Sequence, residues 1–373
     1  MSRTDIFEAT VEHFLHPIMK YMNDPAISEI MINCANEIYI ETKGKLTRIP
    51  ETFESEEVLR SAVTNVLQFT GKRVSDDQPL IDSRLPDGSR IHVVLPPLCK
   101  QGTCMTIRKF AKIMFDAEHL IKLNTWTQEA MSYVDMCVKA EKNMLVAGGT
   151  SSGKTCLLNV ISSFIPDDSR IVTIEDSAEL ELQQNHLITL EARSPDRWGR
   201  GEISIRDLFK SSLRLRPDRI VIGEVRSGEA LDMIQAMTSG HAGSMSTLHA
   251  NTALDTLNRL ETLALMSKIE IPLHALRSQI SSAIDVIVLM TRLSGGQRVI
   301  TEIAEVLPLD ENGHYQVMPM FTYKLSDPNS LIGRLEWTGM RSTFSDEPKM
   351  RMLEPHWGLA RQFFTEGASQ QPA

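Results

Sequence analysis

Residues 143–306 alternate between short apolar runs and longer stretches in which apolar positions recur every three or four residues. The short runs suit buried strands, and the longer stretches suit helices with one apolar face. Taken in order, the pattern predicts strands at 143–147, 170–174, 187–192, 219–223, 244–249, 285–291 and 298–306, with helices at 154–165, 204–214, 228–238, 252–266 and 272–284. Another helix is capped by Thr127 and runs to about residue 141. Strands this apolar, alternating with helices, belong in a mostly parallel sheet covered on both faces.

Upstream the periods change. Ile6, Val11, Phe14, Leu15, Ile18, Met19 and Met22 fall at helical spacing and predict an opening helix to about residue 24, kinked at Pro17 and ended by Pro25. Glu29–Asn33 and Glu37–Glu41 alternate as strands do, Lys43-Gly44-Lys45 turns into a third strand at Leu46–Ile49, and a helix starts at Ser55-Glu56-Glu57 and runs to about Thr70. A Pro86-Asp87-Gly88 turn precedes a strand that reaches Val94, and another strand ends over residues 106–110. The expected organisation is a smaller α+β domain over residues 1–115, an interdomain connection at 116–126, an α/β domain over 127–325 and a C-terminal extension over 326–373. Past about residue 315, two further short strands, a closing helix near 354–365 and eight loose final residues are expected.

Length and composition fit this division and narrow the partners. At 373 residues the chain exceeds one ordinary core. The net charge of -9, from 48 acidic and 39 basic residues, gives no support to a duplex-binding surface and leaves room only for local basic patches. The five cysteines are odd in number and lack CxxC pairing, as in reduced intracellular proteins. The N-terminus lacks a secretory h-region, and no run approaches the roughly 18 to 20 apolar residues that span a bilayer. A cytoplasmic protein without a transmembrane segment is expected, free to dock on a membrane complex.

The candidate chemistry centres on Gly148-Gly149-Thr150-Ser151-Ser152-Gly153-Lys154-Thr155, a GxxxxGKT run between the strand at 143–147 and the helix from Lys154. Small residues let successive backbone N–H groups curl around a di- or triphosphate, and the helix adds its positive dipole end. Lys154 would reach the β- and γ-phosphates, and the Thr155 hydroxyl would sit on Mg2+. ATP and Mg2+ are the expected ligands.

Two strand ends supply carboxylates. The strand at 170–174 delivers Glu175 and Asp176, with Glu179 just beyond, placed to hold Mg2+ or orient water. Arg219-Ile220-Val221-Ile222-Gly223-Glu224 resembles a Walker B strand, with Gly223 where many NTPases have Asp. Metal support then falls to Glu175 and Asp176, and Glu224 is left as the base that polarises water. His241 and His249 flank the strand at 244–249, and either could donate to the γ-phosphate or to Glu224.

The runs GGTSSGKT, IVTIEDSAEL and LRLRPDRIVIGEVRSGEALDMIQAMTSGHAGSMSTLHAN resemble those of the secretion-superfamily ATPases, the hexameric motors of type II and type IV secretion and type IV pili. The similarity is greatest to the CpaF/TadA branch that serves tight-adherence (Flp) pili, and it covers about residues 25 to 310. It implies a RecA-like P-loop ATPase domain behind a smaller, PAS-like N-terminal α+β domain. It also implies a homo-hexamer, peripheral association with the bacterial inner membrane, and TadB/TadC-like platform partners. By the same resemblance Arg90 and Arg108 close on the γ-phosphate, Arg216 acts across a subunit boundary, and His241 and His249 form a His box. Ser151 and Cys156 stand where Gly and Thr are common, and both still fit a phosphate loop.

The expected function is ATP hydrolysis that drives assembly of a tight-adherence pilus, with retraction or related secretion as further uses of the same motor. A conjugative or effector type IV secretion ATPase is the alternative. A non-hydrolysing scaffold is disfavoured because Lys154, Thr155, Glu175 and Glu224 are all present. A nucleic-acid translocase is disfavoured by the net charge and by the lack of a base-stacking motif, so no nucleic-acid partner is expected.

Overall fold

Contacts within the chain divide it into two units, Met1–Met114 and Phe115–Ala373. The computed structural model describes residues 11–367 apart from 43, 69 for its side chain, 70, 71, 73, 74, 76, 77, 86, 110–114, 194, 196–198 and 327–332. The first ten residues of the expected opening helix, Lys43 and Pro86 of the expected turns, residue 70, and the tail from 368 therefore lie outside the described residues.

In the first unit, residues 11–14 are helical, and a 3-10 turn at His16–Ile18 then leads into α1 (Met19–Asn23). Pro17 lies in the first turn of that 3-10 segment, where its missing N–H costs no bond. β1 (Ile27–Cys34), β2 (Glu37–Thr42), β3 (Lys45–Arg48), β4 (Leu80–Arg84), β5 (Arg90–Val94) and β6 (Cys104–Arg108) make one sheet in the order β3-β2-β1-β6-β5-β4. Every neighbouring pair is antiparallel. Period-2 alternation sends Ile30, Ile32, Ile91, Val93, Met105 and Ile107 to a core that Leu59, Val63 and Val66 of α2 (Glu56–Phe69) close. β4 is a strand that the sequence pattern did not single out; it lies at the sheet edge with Leu80 exposed.

The second unit opens with α3 (Ala117–Lys122) and α4 (Gln128–Lys139). Then follow β7 (Met144–Gly148), α5 (Lys154–Ser162), β8 (Ile171–Glu175), β9 (Leu187–Glu191), α6 (Ile205–Ser212), β10 (Arg219–Ile222), α7 (Glu229–Thr238) and β11 (Met245–Leu248). α8 (Ala253–Leu265), α9 (Leu273–Ala283), β12 (Val286–Arg292), β13 (Arg298–Leu307), β14 (Gln316–Leu325), β15 (Gly333–Trp337), α10 (Pro348–Met352) and α11 (Arg361–Thr365) complete it. The nine strands run β15-β14-β13-β12-β7-β11-β10-β8-β9, parallel from β12 to β9 and antiparallel from β12 to β15.

β7 lies inside this sheet, between β11 and β12, and is buried on both faces. Met144 and Val146 join Tyr133 and Val134 of α4 and Leu157 and Ile161 of α5 in one core, while Leu145 and Ala147 join Leu231, Leu257 and Leu276 of α7, α8 and α9 in the other. Two apolar faces explain why the strand reads as an unbroken apolar run.

Three stretches differ from expectation. The described part of 116–126 is a folded piece of the second unit: Asp116 caps α3, Leu120 and Trp126 are in its core, and Trp126 Nε1 donates to the Ala117 carbonyl. The closing helix near 354–365 is broken into 3-10 turns at Glu354–His356 and Gly358–Ala360 followed by α11. Gly358 has φ +48°, so a helix begun at Glu354 cannot run unbroken through it. β14 is ten residues long rather than short.

Candidate functional site

The loop after β7 is shaped by what its glycines leave out. A Cβ on Gly148 would stand 2.3 Å from the Met290 carbonyl oxygen of β12 and 2.7 Å from Ser152 Oγ, so only glycine fits. Gly153, at φ +97°, is the N-cap of α5. The free N–H groups of the first helical turn therefore open into the loop. Ser152 Oγ is buried and has no hydrogen-bond partner among the described residues, an unmet donor in a cradle suited to a phosphate oxygen.

Lys154 is only 7% exposed; its Nζ donates to the Gly149 carbonyl at 2.9 Å and lies 3.4 Å from His249 Nδ1. The Thr155 and Cys156 side chains follow on α5, and burial pushes the Cys156 thiol up.

Carboxylates arrive from β8 and β10. Glu175, the last residue of β8, is buried, and its Oε1 accepts from the Glu179 and Leu180 backbone N–H groups at 2.9 and 3.0 Å. A Cβ on Gly223, just past β10, would lie 2.9 Å from Glu175 Cγ. A side chain at 223 and the Glu175 side chain therefore exclude each other. Asp176 is exposed, with Arg226 Nη1 3.5 Å from its Oδ2.

Glu224 is held at both oxygens. Oε1 is 3.1 Å from His249 Nε2, and Oε2 accepts from Arg226 Nη2 at 2.8 Å. The turn that carries it is braced: Thr247 Oγ1 donates to the Gly223 carbonyl at 2.7 Å, Val225 N–H donates to the Thr247 carbonyl at 3.1 Å, and buried Glu229 accepts from the N–H groups of Arg226 and Ser227.

Burial alone would raise the Glu224 carboxyl, but Arg226, His249 and Lys154 outweigh it and hold the group below its ordinary value. Burial and then Lys154 hold His249 below the ordinary imidazole value against the pull of Glu224, so it is neutral at neutral pH. The partners set the tautomer: Nε2–H donates to Glu224, and Nδ1 accepts from the Lys154 ammonium. One polar chain thus runs from the phosphate loop through Lys154, His249, Glu224 and Arg226 to Asp176.

Among the described residues no cluster of three or more His, Cys, Asp or Glu side chains would hold a metal by itself. Thr155, Glu175 and Asp176 would instead meet Mg2+ together with phosphate oxygens and water, the arrangement this ion favours.

The fold brings Lys154, Thr155, Glu175, Asp176, Glu224 and His249 to the C-terminal end of the parallel strands. His241 does not join them. It precedes β11, which runs parallel to β7, so it lies at the opposite end of the sheet from the loop; the expectation that it donates to the γ-phosphate or Glu224 is corrected for a single chain. Arg216 is exposed at φ +53° ahead of β10, at that same far end. Arg90 and Arg108 belong to the first unit, paired across β5 and β6 in a row that also holds Arg84 and Glu29.

Sequence reasoning missed two residues that touch this machinery. Arg226 was signalled only by standing two positions past Glu224. Arg298, at the start of β13, donates from Nε to the Ser151 carbonyl at 3.1 Å, and nothing nearby in sequence marked it.

Comparison with known proteins agrees with this architecture. Conjugal transfer protein TrbB of Rhizobium radiobacter is 33% identical over 304 residues, 79% of this chain and 88% of that one. Type IV secretion system protein PtlH of Bordetella pertussis is 33% identical over 314 residues, 77% of this chain and 92% of that one. The pilus retraction motor PilT solved with bound ADP has a TM-score of 0.57 at 19% identity, covering 81% of this chain and 84% of that one. The Legionella pneumophila ATPase DotB has a TM-score of 0.53 at 20% identity, covering 80% and 81%. These two structures share the two-part α/β fold. Residues 12–313, which include every residue of the polar chain from Lys154 to Asp176, match the family described as Type II/IV secretion system protein, and to that family this chain belongs.

Proposed function

We propose that this chain is an ATP hydrolase that acts as a ring of six copies at the cytoplasmic face of the inner membrane and drives assembly of a tight-adherence pilus. The observation that carries the reading is the Lys154–His249–Glu224 chain, which joins a phosphate loop to a carboxylate base. In this reading the polyphosphate replaces the Gly149 carbonyl as the partner of Lys154, and loop N–H groups and Ser152 bind its oxygens. Mg2+ held by Thr155, Glu175 and Asp176 would neutralise phosphate charge. Glu224 takes a proton from the attacking water as the water oxygen bonds to the γ-phosphorus and the bond to the β–γ bridging oxygen breaks. Loss of the γ-phosphate returns Lys154 to the loop and alters the environment of His249. Arg90 and Arg108 are assigned to the γ-phosphate, Arg216 to a neighbouring copy's nucleotide, and TadB/TadC-like membrane proteins to the platform.

Conjugative or effector type IV secretion is the second reading, favoured by the names that TrbB and PtlH carry. Disrupting the gene separates the two: loss of surface pili with intact transfer and export supports the first, and the reverse supports the second.

For the hydrolase itself, Lys154→Ala should abolish turnover and weaken nucleotide binding in a folded protein. Glu224→Gln should still bind ATP yet lose at least about 100-fold in kcat, the scale of a removed general base. Normal steady-state hydrolysis by Lys154→Ala would remove this loop from the mechanism.

A further inference from the structure

Ser151, at the tip of the phosphate loop, has φ +58°, in the left-handed region where glycine rests without cost and a serine does not. Thr150 and Ser151 at the tip are exposed, and the turn is closed by a Ser152 N–H to Gly149 carbonyl bond of 3.4 Å, long for its kind. A side chain from β13 hydrogen-bonds this turn. Arg298 Nε donates to the Ser151 carbonyl at 3.1 Å, and its Cδ lies where a Cβ on Gly153 would come within 3.1 Å, so the arginine crosses the outer rim of the loop.

Arg298 is itself held from behind. Its carbonyl accepts from Thr125 Oγ1 at 3.0 Å, Ile300 N–H donates to the Thr125 carbonyl at 2.8 Å, and Gln297 Nε2 donates to the Leu123 carbonyl at 3.3 Å. The start of β13 is thereby pinned to the segment that enters α4, and the guanidinium starts from a fixed point.

We propose that Arg298 is a positioning residue for the phosphate loop: its guanidinium holds Ser151 in the left-handed turn that gives the loop its nucleotide-binding shape. The inference rests on the reading of this loop as the nucleotide site. A carbonyl fixed by a charged donor cannot rotate away without losing a charge-assisted bond, and that loss offsets the relief a serine gains by leaving the left-handed region. The loop then meets its ligand already ordered, which spares the ordering cost on binding.

The test is a double-mutant cycle read by fluorescent ATP and ADP titration and by steady-state kinetics on the full chain. Arg298→Ala should weaken ATP and ADP alike by roughly tenfold, the scale of one strained backbone position, and raise KM with kcat little changed, because both nucleotides need the same loop. Arg298→Lys, which keeps one donor, should recover part of the loss. With Ser151→Gly as its reference, adding Arg298→Ala should lose far less affinity than Arg298→Ala loses against wild type, since glycine needs no brace. Wild-type affinity in Arg298→Ala overturns the proposal. So does an equal loss from Arg298→Ala in both backgrounds with an unchanged melting temperature, for the arginine would then act by its charge and not through Ser151. Lys154→Ala serves as the reference: if it too binds nucleotide normally, the loop assignment itself fails, and if it alone loses binding, only the role of Arg298 fails.

Discussion

Gly223 and Glu175 share one place at the end of the sheet. The strand that resembles Walker B has no acid at 223, and the Glu175 Cγ occupies the space that a Cβ there would need. Gly223→Asp should therefore crowd a buried carboxylate and cost about 1–3 kcal/mol of stability, the usual range for overpacking. Adding Glu175→Ala should return most of that loss, as measured by urea unfolding. Equal stability of Gly223→Asp and wild type would show that the two side chains do not compete. At this scale the sequence was most legible where chemistry demands fixed spacing. Lys154 and Thr155 follow the loop, and Glu175 and Glu224 end apolar strands. Arg298 was not legible, because its partner Ser151 meets it only when distant parts of the chain come together, and the reach of Arg226 to Asp176 likewise depends on β8 lying beside β10. His241 misled because flanking a strand says nothing about which of its two ends faces the loop.

Elements buried on both faces announced themselves, and those completed by partners far along the chain did not. β7 is apolar throughout, and β10 and β12 are apolar apart from Arg219 at the start of one and Thr291 and Arg292 at the end of the other, so their limits were read to within a residue or two. The C-terminal stretch gave a weaker pattern because each of its short helical pieces supplies at most two buried apolar residues. Together they build a wall on α4: Phe363 sits 5.0 Å from Phe321, 5.4 Å from Trp337 and 5.9 Å from Tyr133, ring centre to ring centre. Buried Glu305 of β13 ties the same stretch inward, accepting from Tyr133 Oη at 2.6 Å and from the Thr343 N–H at 2.8 Å. Phe363→Ala should cost about 3–5 kcal/mol, as expected for a fully buried ring, while ATP affinity in the folded protein stays unchanged. A loss below about 1 kcal/mol would mean that the stretch contributes no core.

On the scale of the whole molecule, Arg216 stands at the end of the sheet opposite its own phosphate loop, so a catalytic role requires a second copy. Head-to-tail contacts that close into a ring would supply one. Arg216→Ala should lower turnover without weakening ATP binding in isolated subunits, and mixing it with Lys154→Ala subunits should restore some activity, because some intact loops would then face an intact arginine. Mixed rings that form and recover nothing would exclude that role. Inside each copy, Thr247 clips the ends of β10 and β11 together by its hydroxyl and its carbonyl, and those two ends carry Glu224 and His249. Glu224 and the His249 imidazole thereby ride on one braced edge, the anvil of the proposed mechanism. In that mechanism Lys154 is what strikes it, so whatever a nucleotide does to the lysine would be spent on the gap between loop and anvil and not on deforming the anvil itself.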